Sequence, residues 1–326
     1  MEDIGFIDWE RAAKVGRGLV PPGRRLPAAE IAELVASIKQ AAAAATEHVA
    51  EVTELSKGAD STVLVLDRAS WTAACAASGD VIGRKLGADA APKNRLERLR
   101  GTTRGVQLGA ALAAVSTRVL GQFDPFSAQA RLLLIAPNIY EVEHELMANP
   151  DDFRLWVCLH EETHRFQFGH APWLRDHILT LVQAMLDDEG GVSWPKPSTE
   201  GASILDVVFT ERQRANFDAA SAVMSLMEGH ADVMMDRVGT TVLPTLPIIR
   251  RAFESRRDRR GWASLIGKLL GNDLKLAQYR DGAAFCREVI EKVSVSGLNA
   301  AFSAPGLLPS MREIHHPGEW VERVHG

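Results

Sequence analysis

Five consecutive residues carry the clearest chemistry in this chain: His160-Glu161-Glu162-Thr163-His164. Residues four apart on a helix share one side, one turn above the other, so both imidazoles address the same point. Two neutral imidazoles there can share a metal ion, and the carboxylate beside the first can reach a water on that ion. Phe153, Trp156, Val157 and Phe168 recur with the histidines at helical spacing, so the stripe that carries them faces inward. Glu162 and Thr163 fall off that side and read as ordinary helix positions.

A zinc site needs a third protein ligand, and a catalytic one keeps a fourth position open to water. A second helix must therefore present a ligand, and residues 224–239, rich in Met and Val, contain Glu228-Gly229-His230-Ala231-Asp232. Glu228 and Asp232 share a face, whereas His230 lies about 200° round from Glu228 at roughly 100° per residue. Glu228 as ligand with Asp232 behind it is coherent, because metal-bound histidines usually donate their second ring N–H to a carboxylate. His230 is the rival ligand on zinc's preference for imidazole; otherwise it supports the site from behind or lies at the surface. Gly229 and Ala231 allow another helix to come close.

The elements that must position these groups follow from the same sequence. Residues 27–56 form a long helical pattern with an alanine run at 41–45, and alanine is the best helix former. Residues 61–66 (STVLVL) and 130–135 (ARLLLI) read as strands, with Asp67 or Ser70 capping the helix after the first. Further helices are expected at 104–120, 153–168, 173–186, 206–235, 247–256, 262–270 and 282–292. Residues 187–203, rich in Gly, Pro and Ser, read as a long loop and, joining the two metal-bearing parts, as a mobile flap over the cleft. The tail, with Pro305, Pro309 and Pro317, is expected to be ordered only by packing. The fold class is mainly α with a small β-sheet (α+β). The 326 residues form one domain with two subdomains possible, about 1–186 and about 204–326.

Composition narrows the function classes. A hydrophobic share of 46% with 24% charged residues is that of an ordinary soluble globular protein. The net charge of −5 argues against a nucleic-acid binder, which normally shows a basic field. No signal peptide is visible and the apolar stretches are too short to span a bilayer. Cys75, Cys158 and Cys286 make neither a disulfide framework nor a metal clip, so a reducing, cytoplasmic setting is expected. The arginines 250, 251, 256, 257, 259 and 260, interleaved with Glu254 and Asp258, read as a solvated helix end.

HEETH followed by EGHAD resembles the gluzincin pattern, in which a glutamate of an E-x-x-A-D motif is the third zinc ligand. More closely, the chain resembles the bacterial zincin-like metallopeptidase family labelled as deazaflavin coenzyme biosynthesis-associated. The blocks that carry the likeness are GFIDWERAAKVGRGLVPPG, RLLLIAPNI, FRLWVCLHEETHRFQF, PWLRDH, EGHADVMMDRVG and QYRDGAAF, in this order over nearly the whole chain. The resemblance implies a zincin-like fold with the metal between two helices. It implies one zinc ion on His160, His164 and Glu228, with Glu161 as the catalytic carboxylate. Nothing in the sequence looks like a deazaflavin site, and the coenzyme label reads as a naming inheritance.

The chemistry expected of such a site is amide hydrolysis by a zinc-activated water, with Glu161 as general base and then as proton donor to the leaving amine. Tyr279, Arg280 and His230 are candidates for the oxyanion donor, a buried core tyrosine being the competing reading of Tyr279. Residues 132–138 are expected to form an edge strand that an extended peptide could join. The expected partner is a peptide or protein substrate, with no nucleic acid and no membrane; the sequence does not fix the oligomeric state. Two other classes fit the same residues: a non-hydrolytic scaffold in which zinc only ties helices together, and hydrolysis of a non-peptide amide. Glu161 favours catalysis, because a purely structural site needs no such carboxylate.

Overall fold

The computed structural model describes residues 6–58, 60–87, 91–186, 211–252 and 275–326, with the side chains of 186, 211, 213 and 275–280 excepted. The chain divides into two compact units. One comprises Asp3–Gly169 and Met234–Arg259; the other comprises Met1–Glu2, His170–Val233 and Arg260–Gly326.

The first unit contains the sheet. Its described elements are α1 (Trp9–Leu19), α2 (Ala28–Thr53), β1 (Thr62–Leu66), α3 (Arg68–Lys85), α4 (Arg95–Ser116), β2 (Gly121–Asp124), β3 (Arg131–Ile135), α5 (Ala136–Glu145) and most of α6 (Pro150–His170). The strand order is β1-β3-β2, with β1 parallel and β2 antiparallel to β3. Leu132 to Ile135 of β3 have no exposed surface. The strand expected at the edge of the sheet is therefore its centre, and an edge role for 132–138 is ruled out. A continuous apolar run suits a strand covered on both faces.

Each face has its own cover. Leu133 and Ile135 pack with Trp71 of α3, Val119, Leu64 and Leu66. Burying each of these large side chains stabilises the fold by about 1.5–3 kcal/mol. Gly121 and Phe123, whose register partners are Leu134 and Leu132, meet α6 on the other face. The helix after β1 begins as expected, for the Asp67 carboxylate caps it by accepting from the Ser70 N–H at 2.7 Å. The helix expected at 104–120 instead begins at Arg95. Gly101, Gly105 and Gly109 line its buried side, where a Cβ on Gly105 would stand 2.3 Å from the Asp8 carbonyl oxygen of the segment leading into α1. These glycines are a packing face, not helix breakers.

Three anchors hold α6. At its start the Arg154 guanidinium donates to Glu143 of α5 at 2.9 and 2.6 Å and to Ser37 of α2 at 2.9 Å. In its middle Glu162 is buried, paired with Arg165 and accepting from Thr46 of α2 at 2.6 Å. At its end Gly169 lies against the Lys57–Gly58 backbone. Glu162 and Thr163 are thus off the histidine face, as expected, but Glu162 belongs to a buried ion pair and is not an ordinary helix position.

The second unit is helical in its described residues. It contains α7 (Leu174–Leu186), α8 (Glu211–Val242) as far as Val233, α9 (Lys275–Asn299), α10 (Met311–His315) and α11 (Pro317–His325). Beyond Val233, α8 kinks at Gly239, whose φ of 76° is one that glycine tolerates and other residues rarely adopt. Contrary to the expectation of a tail ordered only by packing, the C-terminal segment has local signals of its own. Ser310 and Glu313 form a reciprocal capping box at the start of α10. Trp320 is fully buried and donates from Nε1 to the Leu307 carbonyl at 2.9 Å.

Candidate metal centre and its positioning residues

His160 and His164 lie on α6 with their rings at 89° and their Nε2 atoms 3.2 Å apart. The Nδ1 of His164 is 2.9 Å from Oε1 of fully buried Gln167. An amide oxygen only accepts, so this contact suits the tautomer with the proton on Nδ1 and the Nε2 lone pair toward His160. Zinc–nitrogen bonds of about 2.0–2.1 Å in a tetrahedral site put two ligand nitrogens about 3.3 Å apart. The donor pair therefore fits zinc in type, spacing and tautomer. Gln167 does for His164 what the sequence reading gave to Asp232. It is the neighbour of the histidine pair that the sequence left unmarked, though its position three after His164 places it on the same helical face.

Glu161 turns to the sheet. It is 8% exposed, and its Oε2 accepts the Phe123 N–H of β2 at 3.2 Å. The β2 strand is fixed on both sides of that contact. Gln122 accepts from Trp71 Nε1 at 2.9 Å, and Asp124 accepts from Ser78, Arg131 and the Ser127 N–H. The Phe123 ring packs against Phe168, one turn beyond His164, at 5.8 Å.

In the second unit, α8 and α9 cross with their backbones in contact. A Cβ on Gly229 would lie 2.1 Å from the Gly282 carbonyl carbon, and one on Gly282 would lie 2.0 Å from the Ser225 oxygen. Close approach through Gly229 is as expected, and it sets the roll of α8. His230 points inward, fully buried, its ring 5.3 Å from that of Phe302. Glu228, far round the helix from it, is half-buried. Asp232 accepts from Arg287 Nη2 at 3.3 Å.

The side chains of Tyr279 and Arg280 and the whole of the 187–203 loop lie outside the described residues, as do Arg256 to Arg260. Arg250 pairs with Asp236 at 2.8 Å. The cysteines are free thiols. Burial and the Asp124 charge push Cys75 up to about 12, and burial also raises Cys158 and Cys286, so none of them is a ready nucleophile. Among the described residues no helix is long and apolar enough to cross a membrane.

A mainly helical chain with a small mixed sheet, and two histidines four apart on the helix beneath it, defines a zincin-like protein. A family model for zincin-like metallopeptidases matches residues 7–321, and the chain belongs to that family. It is similar to a solved structure described as a candidate hydrolase with a novel fold from Chloroflexus aurantiacus. The two are 30% identical, with 98% of each chain covered and a TM-score of 0.73. No curated protein matches the chain.

Proposed function

We propose that this protein is a zinc-dependent hydrolase of peptide amide bonds, with one zinc ion per chain on His160, His164 and Glu228. The observation that carries the reading is the facing pair of Nε2 atoms on α6, with Gln167 setting the tautomer of the second. A zinc ion held by two imidazoles and a carboxylate supplies a Lewis acid that polarises a carbonyl and lowers the pKa of a water to about 7. Glu161 handles the protons. One carboxylate oxygen takes a proton from the attacking water as the new C–O bond forms, then returns it to the amine nitrogen as the C–N bond breaks.

Glu228 is taken as the third ligand on the gluzincin-like pattern, with His230, whose fully buried ring packs edge to face on Phe302 in its own unit, as the rival. Asp232 is assigned a place behind a ligand, and Tyr279 that of oxyanion donor, with His230 as the alternative. The substrate is a peptide or protein, neither nucleic acid nor membrane, and the setting is cytoplasmic, in keeping with three free thiols. The similarity to a candidate hydrolase supports hydrolysis as the reaction class.

Elemental analysis of purified variants tests the ligand set. Glu228→Ala is expected to lose the zinc and His230→Gln to retain it; the reverse pattern would move the third ligand to His230.

A further inference from the structure

We propose that Gly121 is a positioning residue: it reserves the space in which the Glu161 carboxylate is held by the β2 backbone. Three observations within one unit carry this. A Cβ built on Gly121 would stand 2.4 Å from Glu161 Cγ and 2.9 Å from both its carboxyl carbon and Oε1. Contacts under about 3 Å between such atoms do not persist, and here the obstruction is the middle of a buried side chain, not a flexible tip. Oε2 of the same carboxylate accepts the Phe123 N–H. Just before β2 the Leu120 carbonyl accepts from the Ile135 N–H, so alternate residues 120 and 122 face β3, while 121 and 123 turn their backbone groups away from it. Glu161 thus occupies a free edge position of the sheet, above a strand residue with no side chain.

The sequence gives this glycine no other task. It lies in extended backbone, without the positive φ that would demand glycine. A glycine inside a strand weakens it and often marks a close approach by another group. The approaching group here is the carboxylate of Glu161, next to His160.

Any side chain at 121 therefore swings Glu161 off Phe123 and leaves the histidine pair, roughly 60–100° round α6 from it, in place. The consequence for turnover rests on the base role proposed above for Glu161; the contact itself does not. If that role holds, Gly121→Ala lowers kcat by about 100-fold with KM nearly unchanged, the scale of loss for a group displaced by about 1 Å.

The decisive test needs neither substrate nor metal. Amide hydrogen exchange at Phe123 is followed by mass spectrometry with residue-level fragmentation in wild type, Gly121→Ala, Glu161→Ala and the double variant. Each single variant is expected to exchange at least tenfold faster at Phe123, the double variant no faster than either, and zinc affinity of Gly121→Ala to stay within threefold of wild type. Wild-type exchange in Gly121→Ala, or further acceleration when it is added to Glu161→Ala, would overturn the proposal, as would a parallel loss of zinc affinity. Should Gly121→Ala fail to fold, Glu161→Ala alone decides the contact: unchanged exchange at Phe123 overturns it. A protein that proved not to hydrolyse peptides would leave this result standing.

Discussion

Glu161→Gln is expected to keep the fold and the zinc and to lower peptide hydrolysis by about 10²- to 10⁴-fold, the usual contribution of a positioned acid–base group. The substitution is close to isosteric. The glutamine carbonyl can still accept the Phe123 N–H, so the contact with β2 survives. Only the ability to take up and return a proton is lost. Turnover of a fluorescence-quenched peptide library, measured beside zinc content, separates this from damage to the metal site. Equal turnover by variant and wild type would remove Glu161 from the mechanism. A zinc-bound wild type with no turnover would favour the scaffold reading, in which the ion only ties helices together.

The largest expected effect on stability lies one residue further along α6. Glu162 and Arg165 have side chains 2% and 7% exposed, and Arg165 Nε donates to Glu162 Oε2 at 2.8 Å while Thr46 donates to Oε1 at 2.6 Å. Removing one partner of a buried pair leaves the other charge without compensation, at a cost of about 3–5 kcal/mol. Arg165→Met keeps most of the side-chain volume and strips the charge, and should lower the melting temperature by roughly 10 °C. Paired removal, Arg165→Met with Glu162→Leu, should recover much of the loss, because two apolar groups of similar size replace the pair. Thermal denaturation of the three proteins reads both effects. A single variant within about 1 kcal/mol of wild type would mean that the pair contributes little.

The histidine-bearing helix was legible because its signals agree. Apolar residues and histidines share one period, and the family blocks surround them in order. The strands at 61–66 and 130–135 were legible for the same reason, since β-branched and leucine runs this short have few alternatives. The order of the sheet was not. β2 reads Gly-Gln-Phe-Asp, a poor strand by propensity, followed by proline, and it looks like a helix stop and a turn. What makes it a strand is tertiary: pairing with β3, Trp71 on Gln122, and Arg131 with Ser78 on Asp124. Missing β2 left β3 as the apparent edge and hid the partner of Glu161. The start of α4 was hidden by three glycines whose role depends on how close α1 and the segment before it come. Gln167 stood in plain view, but a glutamine beside a histidine acquires meaning only when its oxygen is seen on Nδ1.

The central claim is that the two histidines of α6 hold a metal together with Glu228. Diffraction from crystals grown with zinc, collected on both sides of the zinc absorption edge, tests it most directly. The account predicts one anomalous peak per chain, about 2.0–2.1 Å from Nε2 of His160 and of His164 and about 2.0–2.2 Å from a Glu228 carboxylate oxygen. A map without a peak at the histidine pair, or with a peak there that His230 ligates in place of Glu228, would contradict it.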